Sequence, residues 1–210
     1  MFGGFGRGGG RGGFGGGGRG GFGGSRDGVD NNQAPDAPGE PPIQEEATAS
    51  ALPELRITGG TIHVNAEGDG LDSNGNLIIE GGEVIVDGPS RSMNGAMDSG
   101  SESGGVCQVH GGTVLAIGAA GMDETFDSSS TQCAFRVRFQ NVSAGSEITI
   151  SDSKGTTIFR HTAAKSFTSL VFSSPELTLG ETYTITVDGQ RTSLTLDSVS
   201  TGGQSTRWGW

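Results

Sequence analysis

Between Leu55 and Ala116 one phrase is written three times: Ile57-Thr-Gly-Gly-Thr-Ile-His-Val64, Ile79-Glu-Gly-Gly-Glu-Val-Ile-Val86 and Val109-His-Gly-Gly-Thr-Val-Leu-Ala116. Recurrence at intervals of 22 and 30 residues marks a repeat architecture, in which each unit buries its apolar face only against the next. Every copy reads apolar, polar, Gly-Gly, then a short alternating run. Paired glycines reach backbone angles that other residues resist, so each copy predicts a strand, a tight corner and a second strand. Aligning the copies sets Leu77 over Cys107, Ile79 between Ile57 and Val109, Ile62 over Val84 and Val114, and Val64 over Val86 and Ala116. With side chains alternating at period two, these columns become inward ladders of stacked coils. Thr61, Glu83 and Thr113 take the opposite parity and are expected to face outward, as are His63, Ile85 and Leu115. Coils of about 20 to 30 residues with two or three short strands predict a right-handed parallel β-helix over residues 55–132.

A second repeat runs out of phase with the first. Leu71-Asp72, Met97-Asp98 and Met122-Asp123 are apolar-Asp pairs 26 and 25 residues apart, each in a turn rich in Gly, Asn, Ser or Ala. In a coil stack the apolar member points inward and the Asp lies on an outer ridge, with Asp69, Asn74 and Asn94 beside it. Carboxylates on adjacent coils, about 4.8 Å apart, repel one another unless a cation lies between them. Calcium suits such a ridge because it takes oxygen ligands from carboxylates and carbonyls in flexible loops. Asp and Asn also serve as plain turn formers, so both roles stay open on composition alone.

The turn motifs carry a resemblance. Gly68-Asp-Gly-Leu-Asp-Ser-Asn-Gly75, Leu77-Ile-Ile-Glu-Gly-Gly-Glu-Val-Ile-Val86, Gly88-Pro-Ser90 and Asn94-Gly-Ala-Met-Asp98 resemble a family of bacterial secreted carbohydrate-binding β-helix proteins. The likeness continues through Gly112–Met122, Ala164–Phe167 and Ser173–Leu177, and covers roughly residues 55–190. It implies a pectate-lyase-like fold, calcium binding, and an association with cellulose and acidic pectic chains. Calcium carries over to Asp69, Asp72, Asn94 and Asp98, where the turn motifs match. Such proteins show more coils ahead of Ile57, where this chain has a Gly-rich tract, so a shortened form is expected.

Composition divides the rest. Residues 1–24 contain 16 glycines, and residues 29–51 are rich in Pro, Glu, Asp and Ala with almost no large apolar side chain. Neither piece buries enough surface to offset its ordering entropy. Residues 1–28 are therefore expected to be a disordered Gly/Arg-rich segment and 29–54 an acidic, Pro-rich linker. The Phe-Gly and Arg-Gly-Gly run is similar to single-strand RNA-binding tracts, but four arginines (Arg7, Arg11, Arg19 and Arg26) form a thin electrostatic footprint and favour a linker. The remainder sets nine basic residues against 24 acidic ones, a net of −15. Such a body does not suit nucleic acid, whose phosphates need Lys and Arg. No run of about 20 apolar residues could span a bilayer. The Met1-Phe-Gly-Gly-Phe start lacks the charged and then apolar pattern of a signal peptide, whereas the resemblance implies an extracellular or cell-surface location.

From Cys133 the Gly-Gly phrase stops. Alternating runs at Cys133–Phe139, Glu147–Ser151, Thr156–Arg160, Thr168–Phe172, Thr182–Val187 and Ser193–Asp197, separated by turn residues, predict an antiparallel β-meander over 133–200, with a tail at 201–210. An open coil end exposes apolar columns and unpaired backbone, so this part is expected to cap the stack, with a core of Phe135, Phe139, Phe159, Phe167, Phe172 and Tyr183. Cys107 and Cys133 follow inward parity and read as small buried hydrophobes, a disulfide between them being the alternative. Trp208 and Trp210 could stack on sugar rings but lie in a terminal tail.

The function expected is a non-catalytic, calcium-dependent module for pectic or cellulosic polysaccharide. A calcium-dependent lyase needs a base near the cation, and Arg91, the sole Lys or Arg from Ile57 to Asp127, is its candidate. An Arg paired with acids on a solvated loop is the plainer reading of that residue. A structural surface adhesin, spaced from the cell by the Gly-rich tract, is the third class.

Overall fold

The structure, a computed structural model, describes residues 51–91 and 93–205. The expected Gly/Arg-rich segment, most of the linker, and Trp208 and Trp210 lie outside the described residues. Among the described residues all regular structure is β apart from one 3-10 turn at Ser101–Ser103.

Eight short strands build three turns of chain. The first comprises β1 (Glu54–Ile57), β2 (Thr61–Asn65) and β3 (Leu71–Ser73). The second comprises β4 (Asn76–Ile79), β5 (Glu83–Asp87) and β6 (Met97–Ser99), and the third β7 (Cys107–Val109) and β8 (Thr113–Gly118). Each strand pairs in parallel with its counterpart one turn away, as β1-β4-β7, β2-β5-β8 and β3-β6. The register aligns Leu55 with Leu77 and Cys107, Ile57 with Ile79 and Val109, Ile62 with Val84 and Val114, Val64 with Val86 and Ala116, and Leu71 with Met97. These ladders pack with Phe126 into one core, in which Leu77, Ile79, Val84, Val86, Val109 and Val114 are fully buried.

The Gly-Gly corners are needed for two separate reasons. Gly60, Gly82 and Gly112 each hold a left-handed φ of 84–93°, which side-chain-bearing residues resist. Their predecessors are crowded by the turn below: a Cβ on Gly81 would lie 2.7 Å from the Thr58 carbonyl oxygen, and one on Gly111 2.4 Å from that of Glu80. On the outermost turn a Cβ at Gly59 meets nothing within 4 Å.

Seven strands follow: β9 (Ala134–Val142), β10 (Glu147–Ser151), β11 (Thr157–Thr162), β12 (Phe167–Ser173), β13 (Thr182–Val187), β14 (Gln190–Thr195) and β15 (Ser200–Ser205). Strands lie close to the predicted runs, but their connectivity is no meander. β12 pairs antiparallel with both β8 and β9, so the six-stranded sheet runs β15-β9-β12-β8-β5-β2, and β15 is parallel to β9. The second sheet is antiparallel in the order β11-β10-β13-β14. The chain passes between the two sheets, and β12 covers the edge that β8 would otherwise leave open.

A second core fills the space between these sheets. Phe135, Phe167, Phe172, Ile148, Ile150, Leu170 and Ile185 are almost fully buried there, as the aromatic parity predicts. Leu115 and Ile117 join this core, so β8 supplies Val114 and Ala116 to the coils and Leu115 and Ile117 to the sandwich. The expectation that Leu115 faces solvent is therefore corrected: it points away from the coils but is fully buried beneath the second sheet. On the other two faces the outer edges, β6 and β7, are closed by side chains. Glu124 accepts from the Ser99 N–H (2.7 Å), Asp127 from the Cys107 N–H (2.8 Å) and Ser130 Oγ from the Val109 N–H (3.1 Å). These oxygens accept from backbone donors that a further turn of chain would otherwise satisfy.

Candidate functional site

The second repeat becomes an acidic ridge. Parallel pairing of β3 with β6 puts Asp72 beside Asp98, while Leu71 and Met97 turn inward. Asp69 Oδ1 accepts from the Gly95 N–H at 2.7 Å, tying the turn before β3 to the one before β6. In the orientation that satisfies its neighbours, the Asn94 amide donates to the Met93 carbonyl (2.7 Å) and accepts from the Asp69 N–H (3.3 Å). Asp69, Asp72, Asn94 and Asp98 therefore gather along one edge. Burial pushes the Asp98 carboxyl above its ordinary value, and the charges of Asp69, Asp72 and Glu102 add to the rise. No basic group appears among those influences. The ridge presents carboxylate and amide oxygens, the donor chemistry that a hard divalent cation takes.

The third apolar-Asp pair departs from the pattern. Met122 is about half exposed, and Phe126 fills the coil core instead. Asp123 is engaged by Arg138 through Nε at 2.8 Å and Nη2 at 2.6 Å, by Ser169 Oγ at 2.7 Å and by Arg136 Nε at 3.7 Å. Glu124 extends the ridge in its place, holding Ser99 by its N–H and, at 2.5 Å, by its hydroxyl. Burial pushes the Glu124 carboxyl up, the Ser99 hydrogen bonds oppose this, and the charges of Asp98 and Asp127 add to it, leaving a net rise.

Arg91 is exposed and acts on Glu67, which also pairs with Lys165. It is absent from the charges that act on Asp98.

A second constellation, unforeseen in the sequence, joins the coils to the sandwich. Asp87 ends β5 on the outward face of its sheet, yet its side chain is fully buried. Its Oδ2 lies 2.8 Å from His63 Nε2, on β2, and 3.0 Å from His161 Nε2, on β11. Oδ1 lies 3.0 Å from the same His161 nitrogen and accepts from the Ala164 N–H at 2.9 Å. The two imidazoles meet edge to face with centroids 5.7 Å apart. Burial raises the Asp87 carboxyl, but the hydrogen bonds from His161, His63 and Ala164 together outweigh it, and the carboxyl sits below its ordinary value. Among the described residues, these three form the one set of His, Cys, Asp or Glu whose ligand atoms all lie within 4.8 Å of one another. His63 and Asp87 share outward parity on successive coils, which sequence could have shown. His161 comes from outside the repeat, which it could not.

The described Phe and Tyr side chains are all buried or half-buried, so none offers an open face for a sugar ring. Both cysteines are free: Cys107 lies in the coil core, whereas Cys133 packs against the sandwich core, so the disulfide alternative falls away. No helix among the described residues is long and apolar enough to cross a membrane.

Comparison with known proteins found no match among curated proteins and none among solved structures. A family model described as carbohydrate-binding domain-containing protein matches residues 46–169, more than half of the chain and the whole coil stack with its ridge. The chain therefore belongs to the carbohydrate-binding domain-containing family.

Proposed function

We propose that the protein is a non-catalytic, calcium-dependent carbohydrate-binding module acting outside the cell on plant cell-wall or acidic polysaccharides. In this reading the three-turn stack is a right-handed parallel β-helix. The family match over residues 46–169 carries the carbohydrate role. The acidic ridge supports the calcium, because Asp69, Asp72, Asn94 and Asp98 offer oxygen ligands and the charges acting on Asp98 are all negative. Those residues would hold the ion, which would neutralise the ridge and supply a positive point to which sugar carboxylates or hydroxyls bind.

The absence of an open Phe or Tyr face among the described residues supports recognition by polar and charged contacts rather than ring stacking. A body this negative repels polygalacturonate unless a cation bridges the two, so in this reading binding of acidic chains depends on the calcium. Calorimetric titration of calcium into the wild type and Asp72→Ala tests the site. The expected result is binding lost or weakened at least about tenfold in the variant; equal affinity would remove Asp72 from the site.

A further inference from the structure

The geometry points to a second metal site, of zinc class, at His63, Asp87 and His161. This inference is independent of the calcium reading, since it shares no residue with the ridge and involves different donor chemistry. Two imidazole nitrogens and one carboxylate form a borderline-soft ligand set suited to zinc, nickel or copper, whereas calcium prefers oxygen.

The three ligand atoms all lie within 4.8 Å of one another, close enough for small shifts to bring them to the spacing of a first-row ion. Asp87 Oδ2 is shared by both Nε2 atoms, at 2.8 and 3.0 Å. Zinc bonds of about 2.0–2.2 Å at tetrahedral angles set neighbouring ligand atoms a little over 3 Å apart, so the rings need to retreat by less than about 1 Å. The Ala164 N–H fixes Oδ1 at 2.9 Å and leaves Oδ2 directed at the imidazoles. Such a bond to the non-ligating oxygen orients a metal-binding carboxylate. Ligation through Nε2 requires each imidazole to carry its remaining proton on Nδ1. Asp87 is buried and His161 nearly so, but the His63 side chain is 53% exposed, which leaves a fourth position open to water. Three protein ligands with one open position make an exchangeable site rather than a closed structural one.

The site would also act as a clasp. His63 belongs to the first coil, Asp87 to the second and His161 to the second sheet of the sandwich, so the complete ligand set exists only when these parts are docked. An ion that binds only that form stabilises it by mass action.

The test uses the untagged full chain, with zinc titrated against a chromophoric chelator at neutral pH in the presence of excess calcium. The expected result is one zinc per chain, a rise in Tm on loading, and visible ligand-field bands when cobalt replaces zinc. His63→Ala, at an exposed position, should fold normally, bind zinc at least about 100-fold more weakly and lose both the Tm rise and the cobalt bands. His110→Ala, whose ring meets Thr131 and Gln108 instead, should behave as the wild type. Absence of zinc binding, or wild-type affinity in His63→Ala, would overturn the site.

Discussion

The coil stack and the sandwich share one six-stranded sheet but solve the burial problem differently. The stack is held by ladders of like aliphatic side chains from residues 22–30 apart, and its geometry is set by glycine corners against which the next turn's backbone lies. The sandwich relies on aromatic packing, with Phe172 5.1 Å from Phe159 and 5.7 Å from Phe135 between ring centroids. One region is therefore intolerant of added atoms at its corners and the other of removed atoms at its centre. This contrast also divides the chemistry, because the regular stack displays the acidic ridge while the sandwich contributes His161 and caps the coils.

The largest effect is expected from Phe172→Ala, which should cost about 3–5 kcal/mol by leaving a cavity between the sheets. Chemical denaturation would measure it, and a loss below 1 kcal/mol would mean that the sandwich core is not the close-packed region described. Gly82→Ala follows, at about 2–4 kcal/mol. It combines left-handed strain with a Cβ 2.6 Å from the Gly60 carbonyl oxygen. Gly180 in the sandwich has the same sign of φ but open space around it, so Gly180→Ala should cost only about 1–2 kcal/mol. Equal losses in the two variants would erase the distinction between the regions.

Glu124→Ala should cost about 1–3 kcal/mol by orphaning the Ser99 N–H on the β6 edge. Its pH dependence has a definite sign. Burial holds the folded Glu124 carboxyl above the ordinary glutamate range, so protonation favours the fold. Stability relative to Glu124→Gln should therefore rise as pH falls through the folded value and be lost as pH rises past it. The smallest change in stability is expected from Asp72→Ala in calcium-free buffer, within about 0.5 kcal/mol, because the residue is exposed and removing it relieves repulsion on Asp98. The same variant should lose the stabilisation that calcium gives the wild type.

What could be read in advance follows the same division. The inward columns of the stack, the Leu71 and Met97 pair and the ridge formed by Asp69, Asp72, Asn94 and Asp98 were legible because a repeat writes its contacts as a period. Burial of Phe135, Phe167 and Phe172 was legible from alternation alone. The insertion of β12 between β8 and β9 was not, since pairing across more than 50 residues leaves no periodic trace for β8. The burial of Leu115 and the approach of His161 to Asp87 follow from that insertion and were hidden with it. Asp123 matches its repeat mates in sequence, yet Arg136 and Arg138 occupy it from a strand outside the repeat.

The most direct test of the account is calorimetric titration of polygalacturonate into the full chain, with excess calcium and again in calcium-free buffer, alongside Asp72→Ala. The account predicts binding by the wild type only with calcium and binding at least about tenfold weaker in the variant. Binding of equal strength without calcium, or no binding in either condition, would contradict it.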